Sequence, residues 1–350
     1  VVHGNEVLTF IREEGFHTPR IAWGKDLLSS LPPSLRTYGQ LDSLLEPRYS
    51  LITIAALPLP SVREEEHLQE HPALMSGELR DRKYPAPGRS PALGYIAPFA
   101  RYNYYREAVQ RLKRVARRIH EETGVTKQEI RIFVNSPLPE KAIAYTLGLG
   151  FIGKNSLVIT PSLGSRFLLA GMTIGQEKSL IDTLPAPLAP HASQCAECRS
   201  CIENCPTGAL LNPGRCIQWF ASRAVSVPDS IKKTWGARIY GCVSCQTVCP
   251  FNAHNQKGVS TELGAVGPAV DLHSLLASDE TELGKQLKPT ALGMSWIDPR
   301  ALKRNAMLAA GNQGIRELEP QLREYLCRPD KVLQETARWA LTALHQVGAD

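Results

Sequence analysis

Eight of the nine cysteines fall in two short runs and at one position between them. Cys195 to Pro206, CAECRSCIENCP, reads C-x2-C-x2-C-x3-C-P, and Cys242 to Pro250 reads CVSCQTVCP, with Cys216 between the two. The first spacing is that of a bacterial-type ligand run for a [4Fe–4S] cubane, and eight thiols serve two such clusters. Two-residue gaps let the chain wrap one corner of a cube and offer thiolates to separate irons. The three-residue gap and the proline turn the chain away, because proline fixes φ where it leaves. In this motif the fourth cysteine of a run ligates the other cluster. Cluster A is therefore assigned Cys195, Cys198, Cys201 and Cys249, and cluster B Cys205, Cys216, Cys242 and Cys245. The alternative is a pair of structural zinc sites, which also use C-x-x-C. Zinc sites come as two separated pairs, not as three cysteines at two-residue gaps with Cys-Pro closing each run. Iron–sulfur ligation and one-electron transfer are the preferred chemistry.

The rest of the chain must position these thiols. A length of 350 residues implies two or three domains. Net charge is +6, from 40 basic and 34 acidic side chains, which is weak evidence for an anionic partner. Cysteines in ligand spacing fit a reducing cytosol better than a disulfide framework. The ninth, Cys327, is expected to be a buried, inert thiol in an amphipathic stretch. No apolar run reaches the length of a membrane span, and VVHGNEVLTF lacks a signal pattern. The numbered chain starts at Val1 and not at methionine, as a trimmed chain would.

Residues 5–15 read as a short amphipathic helix ending at Gly15, and SLITIAAL (50–57) as a buried strand. Residues 58–92 read as a long covering loop. Residues 102–122 predict a helix with Ala108, Leu112, Val115 and Ile119 on one stripe. Arg106, Arg111, Lys113, Arg114, Arg117 and Arg118 crowd its other faces, either as a solvated surface or as a phosphate contact. Residues 131–134, 156–160 and 166–174 read as strands. Ser136-Pro137 reads as an N-cap with proline at the first helical position, opening a helix to about Leu147. Residues 176–191 form a proline-rich connector and 256–270 a polar linker. From Asp271 the pattern is helical, with amphipathic segments at 300–310 and 331–345 and a stop at Gly311-Asn312. Paired helices of this kind imply a HEAT-like unit.

Asn135 to Gly175 is the second informative stretch. Gly148, Gly150 and Gly153 permit close backbone approach to a ligand, and Lys154 and Asn155 offer a polar rim. GLGFIG follows a helix and precedes a strand, the reverse of a dinucleotide fingerprint, so a nicotinamide site is not expected. On spacing alone this is equally a helix terminus with a tight turn.

The order of S-P-x-P-E-K-A, L-G-x-G-x-I-G-K-N, C-x2-C-x2-C-x3-C-P-T-G-A and G-C-x2-C-Q-x2-C-P-F-N is similar to that of the epoxyqueuosine reductase family, which is related to the reductive dehalogenases. Ala100-Arg101 and R-N-A-x-L-A-A-G-N from Arg304 to Asn312 fit it too, so the resemblance covers most of the chain. It implies an α+β protein: a nitroreductase-like cobalamin-binding domain (1–178), a two-[4Fe–4S] ferredoxin-like domain (179–256) and an α-helical HEAT-like domain (271–350). It implies reduction of epoxyqueuosine to queuosine in tRNA, in the cytoplasm, by a monomer fed from a low-potential donor such as a flavodoxin or ferredoxin. It places base-off cobalamin against Asn135, Ser136, Gly150, Ile152, Gly153, Lys154 and Asn155, without a histidine ligand to cobalt. The alternatives are a relative acting on another electrophile and a two-cluster electron carrier without corrinoid.

The sequence departs from the family pattern at chemically important positions. Asn135 stands where V-D-[ST]-x-P carries the aspartate taken as proton donor, and an amide cannot act as a general acid. Tyr102 to Arg106 (YNYYR) replaces G-x-D-Y-H, and Trp219 to Arg223 (WFASR) replaces Y-L-T-I-E. Tyr104, Tyr105 and Glu140 are the replacement donors to examine.

Overall fold

The computed structural model describes residues 2–32, 51–60, 92–175, 183–186, 188–253 and 257–346. The expected loop at 58–92 lies mostly outside them. In chain order the main elements are α1 (Gly4–Glu13), β1 (His17–Trp23), α2 (Gly24–Ser30), β2 (Leu51–Pro58), β3 (Leu93–Ile96), α3 (Tyr104–Thr123), β4 (Ile130–Val134) and α4 (Glu140–Thr146). There follow β5 (Phe151–Ile152), β6 (Val158–Ile159), β7 (Phe167–Ile174), β8 (Arg238–Tyr240) and β9 (Ala269–Asp271). The helices α5 (Leu272–Ala277), α6 (Glu280–Leu287), α7 (Pro299–Gln313), α8 (Glu319–Glu324) and α9 (Lys331–Gln346) complete the order. Two compact units emerge, each assembled from separated segments: Val1–Ser61, Tyr104–Ser200 and Val248–Ser260 in one, and Val62–Asn103, Cys201–Thr247 and Thr261–Asp350 in the other.

The first unit is built on a four-stranded sheet in the order β1-β2-β7-β4, antiparallel throughout. Every residue of β2 is buried, as its unbroken apolar run requires of a strand covered on both faces. α3 buries Ala108, Leu112, Val115 and Ile119, the stripe the periodicity predicts. Its basic face is partly structural. Arg111 donates to Glu107 (2.6 Å) and to the Glu14 carbonyl (2.6 Å), and Arg114 pairs with Glu14 (2.7 Å). Arg118 pairs with Glu13 and lies 3.8 Å from the centre of the Phe10 ring. Three of the six cations thus pin α3 to the end of α1.

The helix expected at Ser136-Pro137 starts later, at Glu140. Asn135 takes a left-handed backbone, φ +49°, a region asparagine tolerates better than most side chains. The next residues turn instead of coiling: Ser136 Oγ accepts from the Leu138 N–H (3.2 Å), and the Glu140 carboxylate accepts from the N–H groups of Asn135 (3.2 Å) and Ser136 (2.7 Å). The short-range side-chain acceptor outcompetes the helical ladder here.

The second unit has a three-stranded sheet, β8-β3-β9, with β3 parallel to β8 and antiparallel to β9. Its core gathers Trp235, Ile239, Leu302, Met307 and Leu344. α7 is buried from Ala301 through Gly311 and is the central helix of this unit, not the half-exposed one its sequence implies. Gly311 does not stop it. A Cβ there would lie 3.0 Å from both Ala340 Cα and Trp339 Cζ3 of α9, so this glycine permits close helix packing, and the helix ends at Gly314 with φ +67°.

The expected linker at 256–270 is also structural. In the first unit Val259 N–H donates to the Pro58 carbonyl (3.0 Å). In the second, Asn103 N–H donates to Leu263 (2.7 Å) and Val266 N–H to Arg101 (2.7 Å), leading into β9. Cys327 is exposed in a 3₁₀ turn, Tyr325–Cys327, because Tyr325 takes the buried position of that turn. With the other eight thiols assigned as cluster ligands, Cys327 is expected to take up about one equivalent of iodoacetamide in the reconstituted protein under anaerobic native conditions. Mass mapping that finds the label elsewhere would contradict this.

Candidate functional site

Cysteine placement follows the two units. Cys195, Cys198 and Cys249 belong to the first and the other five assigned ligands to the second. In the first unit Cys249 is buried in a small apolar cluster with Phe151 and Ile159, against which Cys195 and Phe251 pack. Phe151 and Phe251 meet edge to face at 5.2 Å. Burial, and then the negative charges Cys195 and Cys198 would carry, push the Cys249 thiol up.

In the second unit the Cys245 thiol is pushed up to about 12 by burial and by the charges of Cys242, Cys216, Cys205 and Cys201. Cys205 is half-buried, which raises its thiol, but N–H donors from Thr207, Ala209 and Leu210 outweigh this and hold it below the ordinary value. Cys242 N–H donates to the Gln218 side chain (3.1 Å). The first neighbourhood gathers Cys195, Cys198 and Cys249, and the second gathers Cys205, Cys216, Cys242 and Cys245, the set assigned to cluster B, together with Cys201. Among the described residues no three His, Cys, Asp or Glu groups converge as a site for a single ion. Cubane thiolates meet four separate irons and need no such convergence. A donor set of thiols in partly buried, N–H-rich surroundings fits iron–sulfur ligation.

The residues expected around a corrinoid fall in two places. Asn135 and Ser136 line a cavity of about 490 Å³ in the first unit, with Tyr105, Glu140, Leu157 and Phe167. That volume lies within the range of small-molecule sites. A corrinoid is larger than this cavity. Burial raises the Glu140 carboxyl pKa, opposed by the N–H donors of Ser136 and Asn135. Of the replacement donors, Tyr105 and Glu140 face this cavity, while Tyr104 is buried in the α3 stripe.

Gly150, Ile152, Gly153, Lys154 and Asn155 are not on the cavity wall but in the β5–β6 hairpin. A Cβ at Gly150 or Gly153 would run into Ile159, so both glycines permit its close approach. Ile152 is exposed. Lys154 Nζ donates to the carbonyls of Ala196 (2.6 Å) and Cys198 (3.1 Å). Asn155 is buried; its Oδ1 accepts from Leu157 N–H (3.2 Å), and its Nδ2 has no partner among the described residues. An orphaned amide donor is the one feature of this hairpin that still fits a bound polar group.

Residues 194–252 match the model of a 4Fe-4S double cluster binding domain. The epoxyqueuosine reductase of Bacillus subtilis is 33% identical over 214 residues, 58% of this chain and 53% of that protein. The epoxyqueuosine reductase of Vibrio cholerae is 32% identical over 266 residues, 72% of this chain and 68% of that protein. This chain belongs to the epoxyqueuosine reductase family. The crystal structure of an epoxyqueuosine reductase with an epoxyqueuosine-modified tyrosine tRNA stem loop superposes with a TM-score of 0.72 at 24% identity, covering 97% of this chain and 89% of that one. The fold is therefore the mixed α+β fold of that family, with a double-cluster segment. The chain spans about half the length of the Bacillus subtilis relative in the matched region.

Within the family frame, the second unit holds a group that sequence reasoning did not single out. Arg304 and Asn305, part of the family-like R-N-A stretch, are fully buried on α7. Arg304 donates to the carbonyls of Phe220 (2.8 Å), Arg223 (2.8 Å) and Val225 (2.7 Å), and Asn305 to those of Ala221 (2.9 Å) and Ile239 (2.7 Å). These carbonyls follow Cys216 and precede Cys242 in the chain. The available signal was a Lys-Arg-Asn run between the apolar residues Ala301-Leu302 and Ala306–Ala310.

Proposed function

We propose that this protein is an epoxyqueuosine reductase: an oxidoreductase that reduces the epoxide of epoxyqueuosine in tRNA to the alkene of queuosine. Family membership carries this reading, together with the eight cysteines in double-cluster spacing. A relative has been solved with an epoxyqueuosine-modified stem loop, and the same substrate class is proposed here. The functional division is the one read from the sequence: residues 1–178 for the corrinoid, 179–256 for the clusters and 271–350 as a HEAT-like helical support. Cysteines 195, 198, 201 and 249 would hold one cluster and 205, 216, 242 and 245 the other. Asn135, Ser136 and the hairpin residues Gly150, Ile152, Gly153, Lys154 and Asn155 would border the corrinoid. That group, when bound, supplies low-valent cobalt chemistry at an electrophilic carbon. No described helix is long and apolar enough to cross a membrane, and a cytoplasmic monomer served by a flavodoxin or ferredoxin is proposed.

The chain's own residues would exclude water and move one proton. With Asn135 in place of an acid, Glu140 is the best-placed carboxyl, since it is half-buried, raised in pKa and on the cavity wall. Its folded pKa lies above the unfolded one, so its protonated form favours the fold, and that contribution is lost as pH rises through the folded value. Turnover that depends on this proton falls over the same window. Glu140→Gln is expected to lower kcat about 100-fold and to remove that limb of the pH profile. Asn135→Asp is expected to raise epoxide turnover about tenfold or more by restoring the family acid. The check is an epoxyqueuosine–tRNA assay on anaerobically reconstituted protein across pH. A flat response to both variants would place the proton path elsewhere. Asn135 also favours a second reading, a family relative acting on a different electrophile, which wild-type protein inactive on the tRNA but loaded with corrinoid and iron would support.

A further inference from the structure

Lys154, expected at a cofactor rim, reaches the first cysteine run. Its ammonium donates to the carbonyls of Ala196 (2.6 Å) and Cys198 (3.1 Å), both inside the Cys195–Cys198 turn. That turn is unusual. Ala196 has φ +40°, a left-handed backbone that a residue with a Cβ rarely takes, and it persists only where surrounding contacts impose it. Cys198 N–H closes the turn on the Cys195 carbonyl at 2.9 Å. The hairpin that carries Lys154 is itself anchored beside the same thiols, since Phe151 and Ile159 pack with Cys249 and Cys195. A short hairpin, buried at its base, thus delivers one cation to the two carbonyls that shape the first ligand pair.

We propose that Lys154 is a positioning residue for cluster A, which pins the strained Cys195–Cys198 turn and, as a fixed positive charge beside it, favours the reduced cluster. The proposal rests on the assignment of Cys195, Cys198, Cys201 and Cys249 to an iron–sulfur cluster. Reduction adds negative charge to the cluster, and a nearby cation stabilises the added charge. Lys154 is exposed, so solvent and salt screen the effect to a modest one. Cluster potentials respond to net charge and to hydrogen bonding around the sulfurs.

The experiment uses full-length protein reconstituted anaerobically with iron and sulfide and followed by EPR-monitored redox titration. The cluster A signal is the one missing from Cys198→Ala. Wild-type protein with far fewer than eight irons or with zinc would defeat the cluster assignment itself, before Lys154 is tested. Given two clusters, Lys154→Gln is expected to shift the reduction equilibrium of cluster A about threefold toward the oxidised form, with cluster B unchanged and Lys154→Arg close to wild type. Lys154→Met is expected to do the same or to lose iron from cluster A alone. An unchanged cluster A potential in Lys154→Gln at full iron content overturns the proposal. So does an equal change at both clusters, or loss of both together, because neither is specific to the turn that Lys154 holds.

Discussion

Alanine at Cys245 is expected to leave a protein with one cluster instead of two and without reductase turnover. Cys245 is the thiol most enclosed by others: Cys242, Cys216, Cys205 and Cys201 all act on it electrostatically. Removing it takes a ligand from the cluster with the densest set of neighbours, and no replacement is at hand. Cys327, the only cysteine outside the two runs and Cys216, is exposed on the helical part of the chain. Iron should fall by about four per chain, the content of one cubane. Turnover should fall by more than about 100-fold, beyond the loss that follows removal of an outer-shell partner. Cys327→Ala is the matched control and should keep both iron and turnover. Iron and sulfide analysis with EPR of the reduced protein is the measurement. A Cys245→Ala protein that retains eight irons would refute the assignment of cluster B.

Replacing Arg304 with alanine is expected to cost about 3–5 kcal/mol of stability, the range for removing one partner from a buried charged network. Arg304 is fully buried with no carboxylate bonded to it; its guanidinium is satisfied by the carbonyls of Phe220, Arg223 and Val225 and by Asn305 Oδ1 (2.6 Å). Burial pulls its pKa down to about 10, still well above neutrality, so the charge is kept. Without it, those acceptors lose their donors in a site water does not reach, and a cavity opens next to Trp235. Lysine should rescue little, because one ammonium cannot reproduce a planar fork with several directed donors. The same loop leads on from Cys216, so iron at cluster B should fall as well. Thermal or urea denaturation of the iron-free protein separates the two effects. A variant as stable as wild type without iron would show that this arginine matters only through the cluster.

Some features were legible because they depend on local rules. The C-x2-C-x2-C-x3-C-P run states its chemistry through spacing alone, since thiolate reach around a cubane is set by two- and three-residue gaps. The stripe on α3 and the unbroken apolar run of β2 followed from periodicity. Other readings failed where a specific partner, near or far in sequence, overrode a local preference. Ser136-Pro137 has the composition of a helix start, yet the Glu140 carboxylate captures the N–H groups of Asn135 and Ser136 and delays the helix. Gly311-Asn312 has the composition of a stop, yet Gly311 is there to admit Trp339 and Ala340 of α9. The polar stretch at 256–270 looked like a linker because its partners, Pro58, Arg101 and Asn103, lie far away in sequence.

By itself the sequence determined the double-cluster cysteine spacing and the family, since both are carried by residue type and order along the chain. Tertiary structure alone decided that Lys154 faces the Cys195–Cys198 turn and that Arg304 spans the carbonyls after Cys216. Those outcomes depend on which backbone groups long-range packing leaves in need of a partner, and no local pattern encodes that.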